Sequence, residues 1–290
     1  LTKLCLPDTL VTPGQRDKFT SVEGLCLLLR RLSYPNRWFD LKDQFGRHPS
    51  AMSRIFYFML DVMLQKLKHS ILMIPLTRER LQQYATAFEV KGVPPVIKLW
   101  SVIDSKKQQI CRPHVHQKAM YSGHKKIHCV KYQTLEGPDG LILHCSYCLD
   151  GRRGDGYLLR NSGLLEFLRR HPQFIGYIIL GDSAYPNNDE MMSIFKGRNL
   201  PQQSLLFNQV MSPIWTCVEW GYAKIVKYWA FLDFSKQMML GKVGVQAMWH
   251  VGIFLTNALT CAKGGNQISS YFKLTPPTLE QFLDNVINHN

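Results

Sequence analysis

The sequence predicts a mixed α/β protein in which a helical amino-terminal region precedes a domain built on a β-sheet. Residues 1–92 show apolar residues at helical spacing. Lys91-Gly92-Val93-Pro94-Pro95 then breaks the chain, because Pro-Pro stops a helix and favours extended backbone. Beyond this break, short apolar runs alternate with turn signals and helical segments, which is typical of helices packed on a sheet. We therefore predict two domains, 1–92 and 93–290.

The composition is that of a globular protein with an excess of positive charge. Of the 290 residues, 46% are hydrophobic and 19% charged, and 35 Lys and Arg against 21 Asp and Glu give a net charge of +14. This excess favours an anionic partner, nucleic acid before a membrane, although a merely soluble basic protein would have the same total. The apolar run from Val243 to Cys261 is broken by polar residues, which predicts a buried helix and no membrane span.

The amino-terminal region contains the outline of a helix-turn-helix at about residues 36–67. A helical pattern over Trp38–Phe45 ends at Gly46, and a second helix follows from Ser50 or Ser53. In this interpretation Ser53 and Arg54 open the recognition helix and Arg47 contacts phosphates. An ordinary helical hairpin is the simpler interpretation from the sequence physics alone.

A basic window follows the first predicted strand of the second domain. Val96–Ile103 predicts that strand, with Asp104 at its end. Positive charge beside a single carboxylate suits a site that holds a polyanion and a metal together, while the alternative is the solvated face of a hairpin. The candidate nucleic-acid-binding residues of this window are Lys106, Lys107, Arg112, His124, Lys125 and Lys126.

A hairpin, a loop and a helix are predicted next. Residues 126–133 and 141–147 have β character, and Gly137-Pro138-Asp139-Gly140 is a turn between them. A glycine-rich polar loop covers residues 150–156, and residues 158–168 have helical spacing.

A second acid follows a buried strand. Phe174–Leu180 is apolar, and Gly181 and Pro186 bracket the place where the strand stops. Asp182 therefore lies at the carboxyl end of a core strand, where open α/β sheets carry their chemistry. On these residues alone, Asp182 as the cap of a turn or a helix is the simpler interpretation.

The third acid, Glu219, lies on a helix predicted from Ser212, one turn after Trp215. Strand, hairpin, helix, strand and helix is the order of an RNase H-like core, in which carboxylates from distant segments can converge. Asp104, Asp182 and Glu219 would supply the oxygen ligands that Mg²⁺ or Mn²⁺ prefers. Two such ions can clamp an in-line phosphodiester displacement.

Five motifs in this order resemble the DDE endonuclease domain of PIF/Harbinger-type transposases, over roughly residues 36–283. They are Ile178–Pro186, Tyr121–Lys126, Val130–Gln133 with Pro138–Ile142, Val218–Gly221 and Pro276–Leu279. The resemblance implies an RNase H-like catalytic domain, a helix-turn-helix before it, and DNA cleavage dependent on a divalent metal. Asp104, Asp182 and Glu219 match the family's three catalytic, metal-binding acids.

The resemblance also implies partners and a location. Members of this family often work with a separate Myb/SANT-like protein, which implies a nuclear setting, with an additional cytoplasmic location left open. A homo-oligomer is left open, and no membrane association is expected.

Four departures from the family pattern bear on activity. Ser105-Lys106 stands at a usual Gly-Thr, Trp215 at a usual arginine, Tyr222-Ala223 at a usual Phe-Gly, and Gly154-Asp155 at a usual His-Asp. The loss of a cation and a histidine can remove transition-state stabilisation. The alternative function is therefore a catalytically weakened, domesticated transposase that acts as a DNA-binding or adaptor protein. A nuclease directed at RNA is a third hypothesis.

The cysteines favour no metal site. The motif Cys145-Ser-Tyr-Cys148 is a single pair, whereas a structural zinc site needs a second. In a strand these two residues point to opposite faces, so we interpret them as ordinary buried cysteines.

Overall fold

The computed structural model describes residues 6–67 and 73–288 of the chain. The helices in these ranges are α1 (Ser21–Ser33), α2 (Lys42–Phe45), α3 (Pro49–Lys66), α4 (Arg78–Glu89), α5 (Gln117–Met120), α6 (Asp155–Asn161), α7 (Leu164–Arg170), α8 (Gln202–Trp215), α9 (Cys217–Tyr228), α10 (Val245–Ala262), α11 (Gln267–Phe272) and α12 (Leu279–Asn288). The strands are β1 (Thr9–Val11), β2 (Lys18–Thr20), β3 (Leu99–Gln109), β4 (Tyr121–Ser122), β5 (Ile127–Glu136), β6 (Ile142–Cys145), β7 (Leu149–Asp150), β8 (Ile178–Gly181) and β9 (Met191–Ser193).

A curled mixed sheet organises the residues after Pro95. Its central strand β3 pairs antiparallel with β5 on one side and parallel with β8 on the other, and β9 continues the parallel edge. Strands β6 and β7 pair with β5, and β4 extends the same hairpin. This mixed α/β architecture is compatible with an RNase H-like domain, as the sequence predicts.

The position of Asp104 differs from the prediction, because the strand that carries it does not end there. Strand β3 begins at Leu99 and continues to Gln109, and Asp104 lies opposite Thr134 of β5 inside the antiparallel ladder. The backbone groups after Asp104 stay paired because β5 runs alongside them. Alternation of side chains could not reveal this, since the second half of β3 is polar and half-buried.

Strand β8 is shorter than predicted. The apolar run from Phe174 begins as a 3₁₀ turn, and Gly176 adopts a left-handed φ of 81° before the strand starts at Ile178. The prediction that Asp182 directly follows a core strand is confirmed, since β8 ends at Gly181 with its last three residues buried.

Two predicted helices are each divided in two. Gly163, with a φ of 72°, separates α6 from α7 within the predicted helix 158–168. The predicted helix from Ser212 consists of the end of α8 and the whole of α9, which meet at Thr216. Pro213 lies inside α8, where its ring removes a helical hydrogen bond from the turn before it, three residues ahead of this break. The last long helix, α10, agrees with the prediction for Val243–Cys261.

The amino-terminal region is not helical throughout, which corrects the description of residues 1–92. Strands β1 and β2 form an antiparallel ribbon with Leu10 opposite Phe19. The turn between them contains Gly14 at a φ of 79°, and Thr12 and Asp17 hydrogen-bond each other across its base. Strands of three residues are too short for their alternation to be separated from a helical pattern.

The predicted helix-turn-helix falls on α2 and α3, and it stays a prediction. Helix α2 is a single turn, preceded by a 3₁₀ turn at Phe39–Leu41. Gly46 ends it in the left-handed conformation, with a φ of 62°. Helix α3 begins at Pro49 with His48 as its N-cap, and not at Ser50 or Ser53 as predicted.

One apolar core extends across the predicted domain boundary. Leu28 of α1 and Phe56 of α3 belong to the same buried cluster as Trp100 of β3 and Trp249 of α10. A smaller cluster around Phe19 and Met59 lies within the amino-terminal region. The division at residue 92 stays a prediction. Each helix in the described ranges is too short or too polar to span a membrane.

Candidate active site

Asp104 and Asp182 lie side by side at one edge of the sheet. The parallel ladder between β3 and β8 pairs Val102 with Leu180 as its last position. Each acid is the second residue after that pair, on its own strand. Neighbouring strands are about 4.8 Å apart, so continuing this register places the two carboxylates next to each other. Both side chains are half-buried.

A third carboxylate, Asp155, joins them from the first turn of α6. Ser105, the residue after Asp104, donates a hydrogen bond from its hydroxyl to Asp155. The Lys131 ammonium lies 2.6 Å from the same carboxylate and also donates to the Arg153 carbonyl at 3.0 Å. Lys131 is only 3% exposed, so this cation is built into the site and does not face solvent.

The acids of this cluster shift one another's protonation. Burial, together with the charges of Asp182, Asp155 and Glu219, raises the pKa of Asp104 to about 7. Burial also raises the pKa of Asp182, although the Ala184 N–H, 2.9 Å from its carboxylate, opposes that shift. Each carboxylate charge makes ionisation of its neighbours less favourable. The cluster therefore forms a region of negative potential at this edge of the sheet.

Glu219 approaches from α9 on the solvent side. It lies in the first turn of that helix, where its N–H donates to the Thr216 carbonyl at 3.1 Å, and its side chain is exposed. Its charge contributes to the raised pKa of Asp104. The charges of Asp182 and Glu219 thus both act on Asp104.

A protein-family comparison assigns the part of the chain that carries these acids to a family. The family model described as DDE superfamily endonuclease matches residues 103–257, which is more than half of the chain. The chain belongs to the DDE superfamily endonucleases. This family consists of transposase-derived nucleases, and the matched range contains all four acids described above. Comparison with characterised proteins and with solved structures yields no significant match.

The donor chemistry of this acid cluster fits a hard divalent cation. All candidate ligands are carboxylate oxygens, and their mutual repulsion is what a bound cation would relieve. The positions of these side chains fit a metal ion less well than their chemistry does. Within residues 6–67 and 73–288, no group of three or more His, Cys, Asp or Glu side chains is arranged to hold a metal ion. Asp155 is occupied by Lys131 and Ser105.

Two residues that depart from the family pattern support the backbone beside Asp104. Trp215, at the usual arginine position, donates its indole N–H to the Ile103 carbonyl at 3.2 Å. Tyr222, at the usual phenylalanine position, donates its hydroxyl to the Asp104 carbonyl at 2.8 Å and accepts one from Thr134 at 2.8 Å. Helices α8 and α9 are thus hydrogen-bonded to β3 at Ile103 and Asp104.

The candidate nucleic-acid contacts of the sheet lie mainly at a hairpin tip. His124, Lys125 and Lys126 are exposed in the turn between β4 and β5. Strand β3 continues for five residues beyond Asp104 before this tip, so the tip lies about 17 Å or more from the acids. Lys106 and Lys107 lie on β3 between the acids and the hairpin tip. Arg112 donates a hydrogen bond to the Gln117 side chain at 2.9 Å.

The amino-terminal candidates are largely engaged within the chain. Arg54 forms a two-pronged ion pair with Asp17, with N–O distances of 2.6 and 2.9 Å. Arg47 pairs with Glu23 in the same way. Ser53 is half-buried on α3. The Arg54 pair ties α3 to the turn of the β1–β2 ribbon, and the Arg47 pair ties the segment before α3 to α1. The role of these residues in binding DNA stays a prediction.

Sequence reasoning missed Asp155 and Lys131 as members of the site. Asp155 appeared only as part of a glycine-rich loop, although its place at the family's usual His-Asp was a signal. Lys131 lies within the Val130–Gln133 motif, and it is buried against Asp155. The ion pair between them joins β5 to α6, and residue spacing along the chain carries no information about it.

The cysteines take no part in the site. The described thiols are free, Cys145 is buried, and Cys148 is half-buried. His250 of α10 is close by, and its Nε2 lies 3.1 Å from the Ser146 carbonyl.

Proposed function

We propose that the chain is a divalent-metal-dependent DNA endonuclease of the PIF/Harbinger type, with Asp104, Asp182 and Glu219 as its catalytic acids. The observation that carries this proposal is the placement of Asp104 and Asp182 at equivalent positions past the last β3–β8 pair. Membership of the DDE endonuclease family supports the reaction class. The charge of Glu219 on Asp104 supports its inclusion as the third acid.

Mg²⁺ or Mn²⁺ would be held by Asp104 and Asp182, with Glu219 as the further donor. Bound ions of this kind supply activation of water or a 3′-hydroxyl and stabilisation of the leaving oxygen in an in-line displacement. The chain's own groups have separate tasks. Tyr222 and Trp215 hold the backbone around Asp104. Lys131 neutralises Asp155, which limits the negative charge that a phosphodiester must approach.

DNA would be held by positive charge on the same sheet. The net charge of +14 and the exposed cations Lys125 and Lys126 support an electrostatic contribution to binding. The same proposal includes three further features, namely a helix-turn-helix formed by α2 and α3, a Myb/SANT-like partner and a nuclear location. They rest on the family resemblance and on the glycine turn at Gly46.

The deciding experiment is a calorimetric titration of Mn²⁺ into the wild type and Asp182→Asn, followed by a plasmid-nicking assay on both. We expect the wild type to bind Mn²⁺ and nick DNA, and the variant to lose both. Asp189→Asn is the matched control, because Asp189 is an exposed acid on the same loop after β8. Nicking by Asp182→Asn at the wild-type rate would contradict the proposal.

A second candidate is a DNA-binding or adaptor protein that has lost cleavage. Two observations favour it: the described acids do not form a three-ligand group, and the site already contains a buried cation in Lys131. This candidate predicts salt-sensitive DNA binding without metal-dependent nicking. Replacing Lys125 and Lys126 with Gln should lower the slope of log K against log salt by about 0.9 per lost phosphate contact. Binding to duplex DNA, single strands and RNA at fixed salt would also test an RNA substrate.

A further inference from the structure

The Tyr185 side chain is buried beside the acids, and its hydroxyl has no hydrogen-bond partner among the described residues. The residue is 4% exposed. The turn after β8 holds it in place, since the Tyr185 N–H donates to the Asp182 carbonyl at 3.1 Å. Its ring covers Gly181, where an added Cβ would lie 2.8 Å from the ring. Glycine at position 181 therefore lets the ring pack over the end of the strand.

The backbone holds Tyr185 next to Asp182 and its ring over Gly181, and the buried hydroxyl bonds to none of the described acids. The negative charges of Asp155, Asp104 and Asp182 act together with burial to raise the pKa of Tyr185 well above its usual value. A neutral phenol O–H can donate a hydrogen bond to a carboxylate oxygen. Tyr222, in the same neighbourhood, differs because its hydroxyl both donates and accepts a hydrogen bond.

A purely structural role does not account for this hydroxyl. Phenylalanine would fill the same volume over Gly181, and it would avoid the free-energy cost of burying an unpaired O–H. A buried hydroxyl that is unpaired in the metal-free chain, on a residue hydrogen-bonded to the candidate ligand Asp182, has the properties expected of a donor that bonds when that ligand reorients. Hydrogen bonds of this kind fix the orientation of carboxylate ligands.

We propose that Tyr185 is a positioning residue, whose phenolic O–H donates to a carboxylate oxygen of Asp104 or Asp182 and orients that carboxylate for a divalent cation. This inference rests on the proposed function. It concerns the metal-bound arrangement of the acids, and it assigns Tyr185 no contact with the reacting atoms.

The test compares Mn²⁺ affinity and metal-free thermal stability in the wild type, Tyr185→Phe and Tyr177→Phe. Tyr177 is a matched control, because it is also buried and precedes β8, but its hydroxyl donates to Gln82 at 3.3 Å. We expect Tyr185→Phe to bind Mn²⁺ about 10–100-fold more weakly, with a metal-free Tm equal to or above that of the wild type. Tyr177→Phe should bind Mn²⁺ like the wild type.

Any other result contradicts the inference about Tyr185, and each such result also shows whether the endonuclease proposal fails with it. A loss of affinity below tenfold in Tyr185→Phe, while Asp182→Asn abolishes binding, would leave the endonuclease proposal intact and make the hydroxyl irrelevant. A lower metal-free Tm would assign the hydroxyl a structural role. An equal loss of affinity in Tyr177→Phe would show a general effect of buried tyrosines. No Mn²⁺ binding by the wild type would remove both proposals.

Discussion

Asp104 lies half-buried on β3 with the charges of three other carboxylates around it. Its pKa of about 7 is above the ordinary value of an aspartate, so the folded chain binds a proton that the unfolded chain has already released. The stability from this proton is complete below the unfolded pKa and is lost as pH rises through about 7. At higher pH the ionised Asp104 destabilises the metal-free fold.

Asp104→Asn should therefore stabilise the metal-free protein at pH 8 and abolish Mn²⁺ binding. We expect a gain on the order of 2 kcal/mol, once about half of the shift is discounted for solvent screening. At pH 4 the gain should disappear, because Asp104 is then protonated in the folded wild type. Urea unfolding at both pH values measures this difference, and an equal effect at pH 4 and pH 8 would contradict it.

At the scale of the element, the approach of the loop after β7 to β5 determines where Asp155 enters the site. Gly151 lies where an added Cβ would be 2.6 Å from the Met120 carbonyl oxygen, and closer still to that of Cys129. Both atoms are backbone, so neither can turn away as a side chain could. Glycine at position 151 therefore lets the loop lie against the sheet and directs α6 toward the acids.

Gly151→Ala should destabilise the protein by about 1–3 kcal/mol, as overpacking against a rigid backbone does. Gly154→Ala is the matched control in the same loop, because a Cβ there meets nothing within 4 Å and its φ is −79°. We expect that control to be close to neutral in thermal unfolding. Equal Tm values for Gly151→Ala and the wild type would mean that the loop relaxes away from β5.

At the scale of the whole molecule, the helices before residue 93 and the sheet share one core. Arg31 of α1 lies between the rings of Trp38 and Phe231, 4.3 Å from each centroid, and donates to Gln237 at 2.6 Å. Burial without an acidic partner lowers the pKa of Arg31 to about 10. Arg31 thus connects α1 to the segment after α9, and an aromatic ring covers its guanidinium group on each side.

The full chain should unfold in a single calorimetric transition, and residues 93–290 alone should not form a stable fold. The physical reason is that removal of α1, α3 and α4 would expose apolar surface of the shared core. Differential scanning calorimetry of the full chain and circular dichroism of the fragment measure this. Two separate transitions, or a cooperatively folded fragment, would instead support independent domains.

Local patterns along the chain were enough to predict several elements. The turn at Gly137–Gly140, helix α10 and the aspartate directly after β8 all depend on residues close in sequence, and the structure contains each of them. The break between α6 and α7 was not predicted, although Gly163 marks it. A lone glycine in a helical pattern is compatible with an unbroken helix, so the pattern could not show whether one helix or two would form.

The sequence by itself determined the mixed α/β class, the family resemblance and the three candidate acids, because apolar periodicity, turn residues and motif order are local properties. Only the tertiary structure decided that β3 continues past Asp104, since β5 supplies the hydrogen bonds there. It also decided that Asp155 and Lys131 pair in the site and that Arg47 and Arg54 face acids of their own chain. Strand pairing and ion pairs join residues far apart in the chain, and their free energy depends on burial and distance that exist only after folding.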